Sequence, residues 1–514
     1  MASIFTTHKL VVKYITTGVL SALIDFVLLY VFTEYLFNHR YILSAVFAFT
    51  VSLSVAFIIQ KYWTFGDYSE HNIHGQLFSY LLTVIFILLL NLLILFLLVQ
   101  YVHLYYLFAQ LLAICVTGTV GFVINVRNVF HKPYYPSGVV VAAGIFPPDV
   151  GGPASHIYRL AEEMAKLNVR TTIVTYSHLR HDTIEGGYDV IRVNANLPLP
   201  IRGIVYLILL FTSAVNYPVI FAQDITSTGL PALIVKRFLP QKKLIIRIGG
   251  DLLWERYVES GRTKLSVADF YRAGNYKRDL IFRLGKTVMC YADKIIVPAD
   301  FLKDIYVRYY KVSEEKIVVL KNPLPDINLC DIVSTSAERP SERIILFAGR
   351  FIKFKNVSGL INSFISIYDE IKPVKLLLIG EGPERDSYLE IINKSPVASS
   401  IEIIPTLPHE ELLGKIKKAS LCVCASWTEP NSNFILESLS LGRPVLLTRS
   451  NGLSVNLPEE LLFSYDNQKE FADKMKYILV GGYDASQIKK LVCSGTEKLS
   501  WEYLMSRYKK ILNF

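Results

Sequence analysis

Cysteine is scarce in this sequence of 514 residues. Its six cysteines are scattered, with no Cys-x-x-Cys pair and no histidine cluster beside them, so neither a zinc site nor a disulfide framework is indicated. Cys422 and Cys424 alternate in a short apolar run and are expected to face one side of a buried strand. We therefore expect no metal and no required cofactor.

The sequence also lacks any stretch in which basic and aromatic residues interleave as they do on nucleic-acid-binding surfaces. Its net charge of +10 nevertheless favours anionic partners. Anionic lipid and phosphorylated substrates fit that charge, and nucleic acid is not an expected partner.

Polar residues are few before residue 132, where the excess of a 52% apolar composition is concentrated. Each apolar run there is about long enough to cross a ~30 Å hydrocarbon layer as a helix. We predict a four-helix transmembrane domain over residues 1–132, with spans at Leu10–Val31, Ile42–Ile59, Leu77–Val99 and Leu104–Asn125.

No small-residue cleavage site follows the first run, and Asp25 lies inside it, which argues against a signal peptide. An acid at membrane depth is costly, so Asp25 is a candidate functional residue; packing near a helix end is the alternative. The distribution of basic residues predicts that both ends of this domain are cytoplasmic, with Lys9, Lys13, Lys61, Arg127 and Lys132 on one side against Arg40 on the other.

The membrane part contains an internal repeat. Residues Phe57–Phe65 and Phe122–Phe130 align at a constant offset of 65, and each closes an even-numbered span with polar, basic and aromatic residues. This pattern indicates a duplicated helix pair. Because such residues are ordinary membrane-interface anchors, the repeat does not by itself indicate a binding site.

Three segments of this part, Lys13-Tyr14 to Asp25, Gln60 to Phe65 and Asn125 to Phe130, resemble the GtrA-like four-helix membrane proteins. The resemblance implies a role in moving or presenting polyprenyl-phosphate-linked sugars. Two alternatives stay open: the helices translocate a lipid-linked sugar, or they serve only as an anchor and dimerisation module, with a homo-oligomer as the consequence.

Residues 133–138 form a Pro-marked linker, and apolar strand-like runs then alternate with helical stretches over residues 139–325. This alternation predicts a parallel α/β sheet. Gly151 and Gly152, between the first strand and the first helix, would let a backbone approach a ligand. Residues 201–220 are apolar enough to be mistaken for a fifth span, but Asn216 and Pro218 divide them into a helix and a strand.

Residues 262–286 are rich in basic side chains, including Arg272, Lys277 and Arg278. In a chain tethered to a bilayer they are candidates for contact with lipid headgroups or a lipid phosphate. A solvated helix face explains the same run equally well.

A second α/β unit is predicted over residues 343–497. Its first turn, Gly349–Asn356, carries Arg350 and Lys355, two cations that together could neutralise a diphosphate. A second glycine turn ends at Gly382. Glu429 in a loop and Glu437 in a helix then flank one helix N-terminus, which suits a phosphate and sugar hydroxyls.

This order of motifs resembles the family 4 retaining glycosyltransferases of GT-B fold, whose two Rossmann-like domains face a cleft. The resemblance implies that Arg350, Lys355 and Glu429 are the catalytic residues. It further implies a closing helix within residues 498–514 that crosses back to the first domain, and donor contacts from Gly151, Gly152, Gly349, Gly382, Asn433, Phe434, Ile435 and Glu437.

Two departures from the family pattern stand out. Asn356 replaces a glycine, and Arg247–Asp251 stands where many relatives carry a histidine near the acceptor, which leaves Asp251 as a candidate acceptor-side residue. The expected reaction moves a sugar, with retention, from a UDP- or GDP-sugar to a lipid-linked acceptor at the cytoplasmic face of the membrane.

Overall fold

The computed structural model describes residues 4–36, 40–65, 73–125, 129–130, 137–149, 151–179, 183–185, 187–323, 343–482 and 500–513. Two compact units make up the chain. The first comprises Met1–Phe221 with Ile234–Lys243, and the second comprises Ala222–Leu233 with Leu244–Phe514.

Four long apolar helices open the chain: α1 (Ile4–Val31), α2 (Tyr41–Ile58), α3 (Ile73–Gln100) and α4 (Tyr106–Ile124). Within the described ranges, four segments are long and apolar enough to cross a membrane: Val12–Leu36, Leu43–Thr64, Gln76–Gln100 and Tyr106–Ile124. The predicted four-helix membrane domain is confirmed. The first two spans run about five residues further than predicted, because short π-helical turns at Phe32–Leu36 and Ile59–Thr64 continue them.

The internal repeat is visible as paired contacts between its two copies. Gln60 and Asn125 occupy equivalent positions and meet in a hydrogen bond of 3.1 Å. Phe65 and Phe130, also equivalent, stack with ring centroids 4.8 Å apart. The same backbone hydrogen bond recurs in both copies, since the N–H of Phe65 donates to Gln60 O and that of Phe130 to Asn125 O. The two copies of the repeat thus contact each other through residues at equivalent positions.

Polar groups line the inside of this bundle. Lys61, expected at the membrane interface, is fully buried, and its ammonium donates to Gln76 Oε1 at 2.8 Å. One carboxylate oxygen of Asp25 is buried and has no hydrogen-bond partner among the described residues. Arg127 and Lys132, used above to predict orientation, lie outside those residues.

The first unit continues with a parallel α/β segment. Its strands are apolar and almost wholly buried, as expected when helices cover both faces of a parallel sheet. Strand β3 pairs antiparallel with β4 and the order is β3-β4-β2-β1-β5. The elements are β1 (Val139–Ala143), α5 (Gly152–Lys166), β2 (Thr171–Ser177), β3 (Thr183–Glu185), β4 (Tyr188–Asn194), α6 (Leu199–Ala214), β5 (Val219–Ala222) and α7 (Gly229–Phe238).

Helix α6 followed by strand β5 confirms that residues 201–220 are not a fifth span. The second unit then contains three parallel strands in the order β6-β7-β8. Its elements here are β6 (Lys243–Arg247), α8 (Leu252–Glu259), α9 (Val267–Ala273), α10 (Leu280–Tyr291), β7 (Lys294–Val297), α11 (Asp300–Arg308) and β8 (Ile317–Val319).

A six-stranded, fully parallel sheet forms the rest of the second unit, in the order β11-β10-β9-β12-β13-β14. The strands are β9 (Arg343–Ala348), β10 (Val374–Ile379), β11 (Ile401–Ile404), β12 (Leu421–Cys424), β13 (Val445–Thr448) and β14 (Leu462–Phe463). The helices are α12 (Val357–Ile371), α13 (Arg385–Asn393), α14 (His409–Lys418), α15 (Asn433–Ser440), α16 (Gln468–Tyr477) and α17 (Trp501–Leu512).

Helix α17 lies within residues 498–514, and its Tyr508 hydrogen-bonds Arg247 of β6. That this helix crosses back to the first domain stays a prediction. Cys422 and Cys424 lie buried in β12, as predicted. Most of the predicted linker, residues 133–136 of 133–138, falls outside the described residues, as do residues 324–342.

Close backbone contact at the end of β10 generates a stability prediction. Gly380 has φ +150°, and a Cβ there would lie 2.0 Å from the carbonyl oxygen of Gly349. Replacing Gly380 with alanine should therefore destabilise the protein by ~2 kcal/mol. The measurement is the thermal unfolding midpoint of the detergent-solubilised chain.

Gly414→Ala is the matched control, because a Cβ at this position in α14 meets nothing within 4 Å. This change should be neutral or stabilise by up to ~1 kcal/mol, the usual gain of alanine over glycine in a helix. Equal midpoints for the two variants would contradict the packing argument.

Candidate donor site

The strand order of the six-stranded sheet reverses between β9 and β12, which are adjacent although β10 and β11 separate them in sequence. Ligands of open α/β sheets bind outside the carboxyl ends of the strands at such a switch point. The loop after β9 carries Arg350 and Lys355, and the loop after β12 carries Glu429. The strand order therefore brings these two loops together.

Two glycine turns bring the backbone close together at the same edge. Gly382, which follows β10, has φ +155°, and a Cβ there would lie 2.3 Å from the carbonyl oxygen of Phe351. Phe351 in turn donates its N–H to Glu381 O at 2.8 Å. The turns that carry the predicted donor residues Gly349 and Gly382 thus pack together, and only glycine fits at position 382.

The turn after β9 tolerates the departure from the family pattern at Asn356. This residue has φ +51° and ψ +39°, the left-handed conformation, and it begins α12. Asparagine adopts this conformation more readily than other residues with a side chain, so it can replace the usual glycine. The preceding residue, Lys355, keeps its place in the turn.

Lys355 and Glu429 form a largely buried ion pair. Lys355 Nζ donates to Glu429 Oε2 at 2.6 Å, and the side chains are only 19% and 8% exposed. Ser426 donates to the same carboxylate oxygen at 3.0 Å. Burial alone would lower the pKa of Lys355, but the Glu429 carboxylate outweighs it and raises this pKa, so the ammonium stays charged.

Helix α15 begins beside this ion pair. Ser432 is its N-cap and accepts the N–H of Ile435 at 3.4 Å, while the first N–H groups of a helix have no partner within the helix. Asn433 is exposed and accepts a hydrogen bond from Asn322 at 2.8 Å; Phe434 is buried. This end offers N–H groups and partial positive charge to an anion.

Glu437, one turn along α15, contacts a residue that the sequence did not single out. His409 Nε2 lies 2.9 Å from Glu437 Oε1. This hydrogen bond is the main cause that raises the pKa of His409 above its ordinary value. The two residues are 28 positions apart, and no motif links them.

Asp251, the predicted acceptor-side candidate, has a structural role in this fold. Its carboxylate caps α8 by accepting the N–H of Trp254 at 2.8 Å, and both oxygens accept from Tyr271 Oη at 3.0 and 2.8 Å. Burial raises the pKa of Asp251 to about 6. With both oxygens occupied, the geometry does not support this candidate.

Arg350 belongs to this cluster, and the other predicted residues lie on other elements. Arg350 is exposed beside Lys355 in the second unit, whereas Gly151 and Gly152 begin α5 in the first. Arg272, Lys277 and Arg278 are exposed, and Arg272 pairs with Asp269 at 2.8 Å. Among the residues that the structure describes, no group of His, Cys, Asp or Glu could hold a metal ion.

This chain has two Rossmann-like domains built on parallel sheets, with a candidate site at the switch point of the second sheet. That architecture is the GT-B fold of glycosyltransferases. Comparison with known families agrees. Residues 13–130 match the GtrA/DPMS transmembrane domain, residues 150–326 match Glycosyltransferase Family 4, and residues 342–480 match Glycosyl transferases group 1. The chain is thus a GtrA/DPMS transmembrane domain followed by the two domains of a GT-B glycosyltransferase.

Two of the curated relatives have names that mention a lipid. Alpha-monoglucosyldiacylglycerol synthase of Streptococcus pneumoniae is 25% identical over 206 residues, covering 38% of this chain and 46% of that protein. One component of human phosphatidylinositol N-acetylglucosaminyltransferase is 21% identical over 336 residues, covering 63% of this chain and 64% of the relative. The chain thus spans 46% and 64% of the lengths of these relatives.

Solved structures show the same fold. Sucrose-phosphate synthase from Thermosynechococcus elongatus superposes with a TM-score of 0.58 at 19% identity, covering 73% of this chain and 98% of that structure. Anabaena HepE, solved in complex with UDP, gives 0.55 at 14% identity and covers 73% and 99%. At these identities the likeness shows the GT-B fold alone.

The contact between His409 and Glu437 generates a pH prediction. Because the pKa of His409 is raised in the folded state, the stability that this pair contributes is fully present below the unfolded pKa of about 6.5. It is lost as the pH rises through the higher folded value. Since the His409 side chain is 62% exposed, the effect should stay below about 1 kcal/mol.

The measurement compares the thermal midpoints of the wild type and His409→Gln between pH 6 and pH 9. Glutamine keeps a neutral hydrogen-bond donor but no charge, so the wild type should be more stable at pH 6 and the gap should close at alkaline pH. A gap that is constant or widens with pH would contradict the charged contact.

Proposed function

We propose that this glycosyltransferase moves a hexose from a nucleotide-sugar to a lipid-linked acceptor of polyprenyl-phosphate type, at the cytoplasmic face and with retention at the anomeric carbon. The observation that carries the proposal is the meeting of Lys355 and Glu429 at the switch point, beside the N-terminus of α15. A cation and a helix N-terminus can bind the diphosphate of a nucleotide-sugar, and a carboxylate can accept hydrogen bonds from its sugar hydroxyls.

Each group has a role in this proposal. Arg350 and Lys355 bind the diphosphate, and the N–H groups around Asn433–Ile435 add partial positive charge. Glu429 accepts hydrogen bonds from the donor sugar, and Glu437 accepts them from the ribose. The backbone at Gly349 and Gly382 is proposed to contact the donor. Gly151 and Gly152 are proposed as the facing wall.

The chemistry breaks the bond between the anomeric carbon and the diphosphate oxygen, and the electron pair leaves with the diphosphate. The acceptor oxygen bonds to the same carbon from the same face. Preorganised positive charge around the leaving diphosphate is expected to supply the larger share of catalysis, because the barrier lies in charge separation. Glu429 accepts a hydrogen bond from Lys355 Nζ at 2.6 Å and so holds the ammonium beside the turn where the diphosphate is proposed to bind.

The donor class is supported by the solved relatives. HepE was solved with UDP and, separately, with UDP and glucose. A trehalose-6-phosphate protein from E. coli was solved with UDP-2-fluoro glucose. A UDP-sugar is therefore the first donor to test, and a GDP-sugar is the second.

The acceptor class is supported by the membrane domain and by the printed names of the relatives. Alpha-monoglucosyldiacylglycerol synthase and phosphatidylinositol N-acetylglucosaminyltransferase are both named for lipids. The exposed Arg272, Lys277 and Arg278 fit a surface that approaches anionic headgroups. The excess of Lys and Arg on one side of the spans supports a cytoplasmic catalytic part.

A second candidate function is that the membrane domain also translocates the lipid-linked sugar. The observation that favours it is the polar interior of the duplicated bundle, where Gln60 meets Asn125 and a buried oxygen of Asp25 lacks a described partner. Helices that served only as an anchor and dimerisation module would have no need of such costly groups. Repeat-related helix pairs with polar interfaces are common in transporters.

Replacing Lys355 with alanine tests the proposed reaction. The full chain is assayed in inverted membrane vesicles with a labelled UDP- or GDP-sugar and membrane lipid extract. Removing the cation should lower transfer at least ~100-fold, because the leaving diphosphate loses its buried charge partner. Lys469→Ala, at an exposed position of α16, is the matched control and should keep wild-type transfer.

The same vesicles test the finer parts of the proposal. Right-side-out vesicles should show no transfer, since nucleotide-sugars do not cross the membrane. Turnover of Lys355→Ala close to wild type would refute the donor site, and an inverted linkage in the product would refute retention. Labelled lipid that becomes accessible at the far side would favour translocation over anchoring.

A further inference from the structure

Two side chains of helix α8, Glu259 and Trp254, contact the Lys353–Lys355 turn within the second unit. Glu259 accepts the N–H groups of Lys353 and Phe354, each at 3.3 Å. The ring of Trp254 lies 5.5 Å from that of Phe354, centroid to centroid. The position of α8 beside the cations of the donor site is therefore set by side chains at both of its ends.

Glu255 lies on α8 one turn before Glu259 and so on the same face of the helix. It lies near enough to Arg350 and Lys355 of the β9 turn, Glu429 of the β12 loop, and Asp251 at the start of its own helix for their charges to act on its carboxylate. Gly250 leaves room for it, because a Cβ there would lie 2.5 Å from Glu255 Oε1. No side chain other than hydrogen fits at position 250 while Glu255 keeps this orientation.

The contacts of Glu255 differ from those of its neighbours on the helix. Asp251 is bound by Trp254 and Tyr271, and Glu259 holds the Lys353 turn. Within the part of the chain that the structure describes, the Glu255 carboxylate accepts no hydrogen bond and forms no ion pair. The residue is half-buried. A carboxylate with only a structural role would be expected to have such partners.

The electrostatic surroundings suit proton transfer near neutral pH. Burial raises the pKa of Glu255 to about 7; Arg350 and Lys355 act to lower it, and Asp251 and Glu429 act to raise it. A general base is most effective when its pKa lies near the operating pH. Binding of a diphosphate to the two cations would remove part of their effect and raise this pKa further.

We propose that Glu255 binds the attacking hydroxyl of the acceptor and takes its proton as the new glycosidic bond forms. The step balances: the acceptor oxygen bonds to the anomeric carbon, the diphosphate leaves with the electron pair, and the carboxylate gains the hydroxyl proton and later releases it to water. This assignment rests on the proposed sugar transfer. It gives the acceptor side of the reaction a residue where Asp251 is already occupied by α8 and Tyr271.

The test is Glu255→Gln in the full chain, assayed for transfer and for binding of UDP or GDP. The turnover number should fall at least ~30-fold, since a general base contributes about 10²–10⁴-fold. Nucleotide affinity and the thermal midpoint should stay within threefold and about two degrees of wild type. Glu390→Gln, at an exposed position of α13, is the matched control and should transfer normally.

The pH profile separates a catalytic role from a structural one. Wild-type turnover should rise with pH through a midpoint at or above about 7, as the carboxylate loses its proton, and this limb should vanish in Glu255→Gln. Glu255→Asp should restore part of the turnover together with the limb. Retention of more than a third of wild-type turnover, or an unchanged limb, would overturn the assignment.

Loss of nucleotide affinity or of thermal stability together with turnover would also overturn it, because that pattern marks a structural residue. These outcomes are distinct from failure of the proposed function. If the wild type itself transfers no sugar, the function fails. If the wild type transfers and Glu255→Gln does so equally, only the role of Glu255 fails.

Discussion

The ion pair between Lys355 and Glu429 is the contact on which the candidate site depends. It joins the loop after β9 to the loop after β12 across the switch point, at 2.6 Å and largely out of solvent. Truncating one partner of such a pair leaves an unpaired buried charge, at a cost of about 3–5 kcal/mol. The pair therefore links the two loops and holds a cation where the proposed donor site needs one.

Other parts of the second unit are arranged around that pair. Glu259 and Trp254 fix α8 against the Lys353–Lys355 turn, and the charges of Arg350 and Lys355 act on Glu255 of the same helix. Asn322 donates to Asn433 Oδ1 and accepts from Arg247, which connects the start of α15 to strand β6. The donor-binding loops and the proposed acceptor-binding helix are thus held by one continuous set of contacts.

Much of this organisation could be predicted from sequence, because the patterns are local. Four apolar runs predict four helices, and the offset of 65 between Gln60 and Asn125 predicts the duplication that the structure shows. Strand order is not local. The motifs containing Lys355 and Glu429 could be recognised, but their contact follows from β9 lying beside β12, which no spacing encodes.

Three features escaped prediction for the same reason, since each depends on elements distant in the chain. They are the burial of Lys61, the pairing of His409 with Glu437 and the position of Glu255 near the two cations.

The most direct test of the central claim is a binding screen of nucleoside diphosphates against the intact chain in detergent. At least one of UDP and GDP should bind with a submillimolar Kd, and Lys355→Ala should weaken it at least tenfold. Failure of both to bind the wild type would contradict the account.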